Sequence, residues 1–166
     1  MENTAPLVKD SLHQINVQYV AREDRLLMRT TTKKGDEYRV WLTRRFTGLL
    51  YNLMTRVMET FGGAPSIGAA PQTQELFKSG ALEKKFESEK AVNYPLGKQG
   101  MLAYEIKSST SPDGILHLEL LPEKGKGLNL NLNKSLLFIL HNLLSQGIAR
   151  AEWHLAGTKE YSDKVH

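Results

Sequence analysis

Five histidines and no cysteine set the first limits on the chemistry this chain can do. Without thiols there is no thiol nucleophile, no thiolate metal site and no disulfide. His13, His117, His141, His154 and His166 are scattered, with no pair at the spacing that lets two imidazoles share a metal on one helix face. His141 sits in a leucine-rich helical stretch and reads as a packed histidine with one polar partner. His117 and His154 fall on outward strand positions. No nucleophile elbow of the G-x-S-x-G type is present, and Ser108, Ser109 and Ser111 cluster at a turn, where serine hydroxyls bond nearby backbone. Asp24, Glu37, Glu105 and Glu119 occupy turns or outward strand positions, where carboxylates are ordinarily solvated. Gly125-Lys126-Gly127 has the composition of a phosphate loop but neither its spacing nor a following helix. The residues therefore nominate no catalytic, cofactor-binding or metal-binding position, and a non-enzymatic protein is expected. An enzymatic reading would need a cleft that gathers polar groups from both halves of the chain around His117, Glu119 and Asn129.

Arginine is distributed differently. Seven of the eight arginines lie in the first 56 residues, and five of those seven surround a single tryptophan in the pattern of an exposed strand face. Arg25, Leu27, Arg29, Arg39 and Trp41 should share that face, with Arg44 and Arg45 at its edge. Tryptophan and arginine are the residues protein interfaces prefer, so the favoured reading is a contact surface of an adaptor or of a homo-oligomeric subunit, unless the Gln72–Lys90 segment itself covers Trp41. The alternative is a platform for single-stranded DNA or RNA. Bases would stack on Trp41 for about 1–3 kcal/mol each while guanidinium groups take phosphates. The bland reading is a solvated face with salt bridges to Glu23, Asp24, Asp36 and Glu37. A net charge of +4 is too slight to favour nucleic acid further.

The elements that must position this face read as two copies of one pattern, three strands and a helix. In the first, residues 12–61, Ile15, Val17 and Tyr19 alternate with polar residues. The chain turns at Arg22-Glu23-Asp24, runs through Leu26 and Met28, and turns again at Lys33-Lys34-Gly35-Asp36. It then buries Tyr38, Val40 and Leu42. Thr43 caps a helix whose apolar face is Phe46, Leu49, Leu50, Leu53, Met54 and Val57, ending at Gly62-Gly63. In the second, residues 101–147, Leu102, Tyr104 and Ile106 alternate with Glu105 and Lys107. Leu116, Leu118 and Leu120 follow, then Leu128, Leu130 and Leu132. Asn133 caps a leucine-rich helix that is expected to stop at Gly147, before a final strand near 149–155.

Residues 62–100 form the odd part. A small-residue linker over 62–71 leads into a helical pattern from Gln72 to Lys90, either a packed cover or an arm. The expected architecture is thus a single α+β domain over 1–166. It is built from a duplicated βββα unit, with antiparallel sheet and two apolar helices packed on it. The start carries neither the basic nor the apolar run of a secretory signal, and no stretch approaches the roughly 18 apolar residues of a membrane span. A cytoplasmic protein with no membrane partner is expected.

Asp24-Arg25-Leu26-Leu27-Met28-Arg29, with Glu37-Tyr38-Arg39-Val40-Trp41-Leu42-Thr43-Arg44-Arg45, resembles a family of short uncharacterised bacterial proteins with a DRLLLR…EYRLWLTRR-like pattern. That resemblance covers chiefly the first unit and implies no activity. In topology alone, a doubled strand-rich unit ending in a helix is similar to the Whirly and PUR single-strand nucleic-acid binders. Those have four strands before each helix where three are counted here.

Overall fold

The structure is a computed structural model that describes residues 12–62 and 93–155. The expected Gln72–Lys90 helix, its linker and the polar tail lie outside the described residues. Strands β1 (Leu12–Val20), β2 (Arg25–Thr32) and β3 (Glu37–Leu42) lead into helix α1 (Arg44–Thr60). After residues 93–100 come β4 (Met101–Leu102), β5 (Glu105–Thr110), β6 (Leu116–Leu121), β7 (Leu128–Leu132) and helix α2 (Lys134–Ala151). The fold is α+β. One sheet has the order β1-β2-β3-β4 and the other β5-β6-β7. All neighbours are antiparallel except β3 and β4, which pair in parallel because β4 arrives from the long connection after α1 and not from a hairpin.

The two sheets are joined by one extended segment. The Ala103 N–H donates to the Trp41 carbonyl of β3 at 3.0 Å, and the next N–H, on Tyr104, donates to Leu121 of β6 at 2.7 Å. At this corner the alternation slips by one residue. Met101 and Ala103 are buried, Leu102 and Tyr104 are exposed, and beyond the corner Ile106 is the residue that packs on the core. Leu102, Tyr104 and Ile106 therefore do not share a face, as the sequence pattern suggests. A one-residue slip sends alternate side chains to the opposite side of a sheet.

Both helix caps stand where the sequence puts them. The Phe46 N–H donates to Thr43 Oγ1 at 3.1 Å, and the Leu136 N–H to Asn133 Oδ1 at 2.8 Å. Helix α1 buries Phe46, Leu50, Met54, Val57 and Met58, a stripe at helical spacing. Leu49 is not part of it and is 53 % exposed. It sits one residue off the stripe, on the side that carries Arg45 and Asn52. The helices meet through His141, which stacks on Tyr51 with 4.3 Å between ring centroids and lies 2.9 Å from Thr55 Oγ1.

Two expectations about the chain's end are corrected. Helix α2 passes through Gly147 and ends at Ala151, so there is no final strand over 149–155. Gly147 is a packing residue: a Cβ there would lie 3.1 Å from both methyls of Leu26 and 3.2 Å from Val17. Its missing side chain lets α2 lie closely on β1 and β2, across the boundary between the two units. The core is consequently one cluster running from Ile15 to Trp153. No helix among the described residues is long and apolar enough to cross a membrane.

Candidate functional site

Strand register places four of the seven expected site residues together. On the face of the first sheet that points away from the helices, Leu27 lies opposite Trp41 and Arg29 opposite Arg39. Three rows cross the strands on this face, and they differ in character. The first is Gln18, Leu27, Trp41 and Leu102, largely apolar. The second is Asn16, Arg29 and Arg39. The third is Gln14, Thr31 and Glu37, whose side chains are polar and yet buried. The face is therefore graded from buried polar groups at one end to exposed apolar ones at the other.

The arginine row is engaged within the protein. Arg29 donates to Asn16 Oδ1 at 2.9 Å and to Gln18 Oε1 at 3.2 Å. Burial pushes its pKa down, with the Glu37 carboxylate opposing and the Arg39 charge adding to the fall. Arg39 Nε donates to Glu37 Oε2 at 2.5 Å, and its Nη1 donates to the Lys98 carbonyl at 2.6 Å. The same guanidinium lies 4.8 Å from the centre of the Tyr94 ring. Glu37 is fully buried, so its charge is countered by arginine where water does not reach.

Trp41 is half-buried, and its indole N–H donates to the Gln99 carbonyl at 2.7 Å. The segment 94–100 thus straps the Arg39–Trp41 side of the face through two carbonyls and one aromatic ring. Nothing in the residue pattern of 94–100 announces this, because backbone carbonyls are the acceptors.

The remaining expected residues lie outside these three rows. Arg25 opens β2 on the same face as Leu27 and Arg29, one row beyond Leu27, and pairs loosely with Glu23 at 3.7 Å. Arg44 and Arg45 open α1 and line a groove with Gly48, Leu49, Asn52 and Leu155. They do not join the Trp41 row.

Two residues that the sequence pattern places on one strand face with Ile106 lie at the site instead. Leu102 is 41 % and Tyr104 67 % exposed. Leu102 extends the Leu27–Trp41 row by direct pairing with Trp41, and Tyr104 follows it at the corner between the sheets. Both border a groove of about 740 Å³ with Pro95, Leu96 and Pro122. An exposed leucine, an exposed tyrosine and a half-buried tryptophan in contiguous positions are an apolar patch on an otherwise polar sheet surface.

The outer face of the second sheet is different in kind. Lys107, Glu119 and Asn129 form one row across it, and Ser109, His117 and Asn131 the next. They border a depression of about 280 Å³. His117 Nδ1 lies 2.7 Å from Asn131 Oδ1, within hydrogen-bond distance. Every residue lining this depression comes from the second unit, so it does not gather polar groups from both halves. Among the described residues, no three histidine, aspartate or glutamate side chains cluster as a metal site.

Comparison with protein-family models, curated proteins and solved structures finds no match.

Proposed function

We propose that this protein works by binding another polypeptide, through the surface formed by Leu27, Trp41, Leu102 and Tyr104. The observation that carries this reading is the in-register apolar row that runs from Leu27 through Trp41 to an exposed Leu102 and ends beside an exposed Tyr104. Burying apolar area contributes roughly 25 cal/mol per Å², and aromatic side chains concentrate that gain in few residues. Trp41 is already fixed by its bond to Gln99, so little side-chain entropy is lost when a partner covers it.

A single-stranded nucleic acid fits this face less well. Its arginines would have to carry the phosphates, and Arg29 and Arg39 are engaged with Asn16, Gln18, Glu37 and the Lys98 carbonyl. The His117 depression, where an enzymatic function would have to gather groups from both halves, is lined only by residues of the second unit.

The absence of native cysteine makes the test direct. A Tyr104→Cys variant carrying a photo-crosslinker should form one dominant protein adduct in cell extract, or a dimer when pure. A crosslinker at Glu123→Cys, on the adjoining hairpin, should give the same adduct. Sedimentation velocity across a wide concentration range separates self-association from a foreign partner. A monomer with no adduct from either position, alongside salt-sensitive oligonucleotide binding, would replace this reading with the nucleic-acid one.

A further inference from the structure

The groove beside Leu102 and Tyr104 has a chemical polarity that the row on the sheet does not. Its walls are Pro95 and Leu96 on one side and the β6–β7 hairpin, from Pro122 to Lys126, on the other. Lys124 and Lys126 both line it, and both are exposed. Neither lysine has a carboxylate within ion-pair distance among the described residues. A third lysine, Lys98, lies in the strap that forms the opposite wall, its ammonium 5.8 Å from the centre of the Tyr94 ring. One carboxylate, Glu123, lies among them. The groove is thus apolar at its base and predominantly cationic at its rim.

We infer that the polypeptide held here is an acidic segment with apolar anchors, contributed by a different protein. The inference rests on the reading that this surface binds polypeptide, and it adds the partner's chemistry. Leucine or aromatic anchors would cover Leu96, Leu102 and Tyr104, which supplies most of the affinity. Carboxylates at the flanking positions would meet Lys124 and Lys126 at the rim, which supplies encounter rate and choice of partner more than binding strength. The two prolines shape the mode of binding. Neither has an N–H to donate, so the walls they form hold a segment by its side chains and not by adding it to a sheet edge. A second copy of this chain is the poorer occupant, because each copy carries a net charge of +4 and association would oppose like charge.

Three short labelled peptides test this by fluorescence anisotropy. One alternates Glu with Leu and Phe, one has Lys for every Glu, and one has Ser for every Leu and Phe. The acidic apolar peptide should bind at least about tenfold tighter than either control at low salt. Lys124→Glu/Lys126→Glu should reduce that preference to within about threefold, or reverse it. Both positions are in an exposed hairpin, and an unchanged circular dichroism spectrum and urea midpoint would show that the variant folds. Tyr104→Ala should weaken both apolar peptides alike. If the basic apolar peptide binds wild-type protein as tightly as the acidic one, the inference about charge is overturned and the docking surface stands. If no apolar peptide binds, both are overturned.

Discussion

The indole N–H of Trp153, beyond the end of α2, donates to the carboxylate of Asp24 in the β1–β2 turn at 3.0 Å. The Tyr19 hydroxyl donates to the same carboxylate oxygen at 2.8 Å, and the two rings meet edge to face with centroids 6.0 Å apart. The end of the second unit is therefore tied to the first hairpin of the first. With Gly147 packed against Leu26, it explains why the two βββα runs share one core.

This cluster predicts a pH signature at both ends of the scale. The hydrogen bond from Tyr19, then that from Trp153, holds the Asp24 carboxyl below its ordinary value. A carboxylate so depressed contributes stability that is present above the unfolded value of about 3.9 and is lost as pH falls through the folded value. The Tyr19 hydroxyl is shifted the other way, chiefly by the bond to Asp24. Its contribution is present below about pH 10 and is lost as pH rises beyond it. Urea midpoints should therefore be flat between these limits and fall outside them. Asp24→Asn should flatten the acid limb, and it introduces no backbone strain, since asparagine tolerates the positive φ of 53° at this position as aspartate does. An acid limb unchanged in Asp24→Asn would show that the cluster does not set it.

Two glycines should respond to alanine with opposite local logic but the same sign. At Gly147 the helix gains about 0.5–1 kcal/mol of propensity from alanine. The new methyl would, however, meet Leu26 and Val17 at about 3.1–3.2 Å, and Leu26 is fully buried with no room to retreat. Overpacking costs about 1–3 kcal/mol, so a net loss of about 1 kcal/mol is expected. At Gly127 there is no compensating helix, and a Cβ would collide with the Leu120 carbonyl across the β6–β7 hairpin. Gly127→Ala should cost about 2–3 kcal/mol, the larger of the two losses by equilibrium unfolding.

What could be read from sequence here, and what could not, follows the range of the forces involved. Thr43 and Asn133 were legible as caps because a cap needs only a hydroxyl or amide three residues before an N–H. The outward pairing of Leu27 with Trp41 and of Arg29 with Arg39 was legible because strand alternation fixes it. Gly147 was misread as a stop, since a glycine that ends a helix and one that admits a neighbouring strand look alike in sequence. Leu102 and Tyr104 were misplaced by the one-residue slip at the corner, which is set by which strand each N–H finds: Trp41 for one, Leu121 for the next. The strap over Trp41 was invisible because it acts through the carbonyls of Lys98 and Gln99, which any residue type supplies.

Thr47 offers a prediction of the opposite direction. Its hydroxyl is fully buried in the first turn of α1 and has no hydrogen-bond partner. Leaving such a group unpaired costs about 1–3 kcal/mol, which an apolar group of the same shape avoids. Thr47→Val keeps the β-branch and the volume, so it should stabilise the protein by about 1 kcal/mol, read as a rise in urea midpoint with unchanged slope. A loss of stability would mean that the hydroxyl finds a partner in solution.

The Glu37–Arg39 pair yields the prediction that best separates structure from binding. Glu37 is wholly buried, and Arg39 is an ion-pair partner at 2.5 Å. Arg39→Ala leaves a buried carboxylate short of one counter-charge where water does not reach, a defect that costs up to about 3 kcal/mol. If Arg39 served chiefly to bind phosphate at the surface, the same substitution would leave stability nearly unchanged and would weaken only nucleic-acid binding. The expected result is a marked drop in urea midpoint. Glu37→Gln/Arg39→Gln should fall less than Arg39→Ala, because it leaves no buried carboxylate short of arginine. The pair should also resist added salt, which screens buried charges poorly, so the difference between wild type and Arg39→Ala should persist at high ionic strength. Equal stability of wild type and Arg39→Ala would remove Glu37 from the interior and reopen the arginine row as a surface for phosphate.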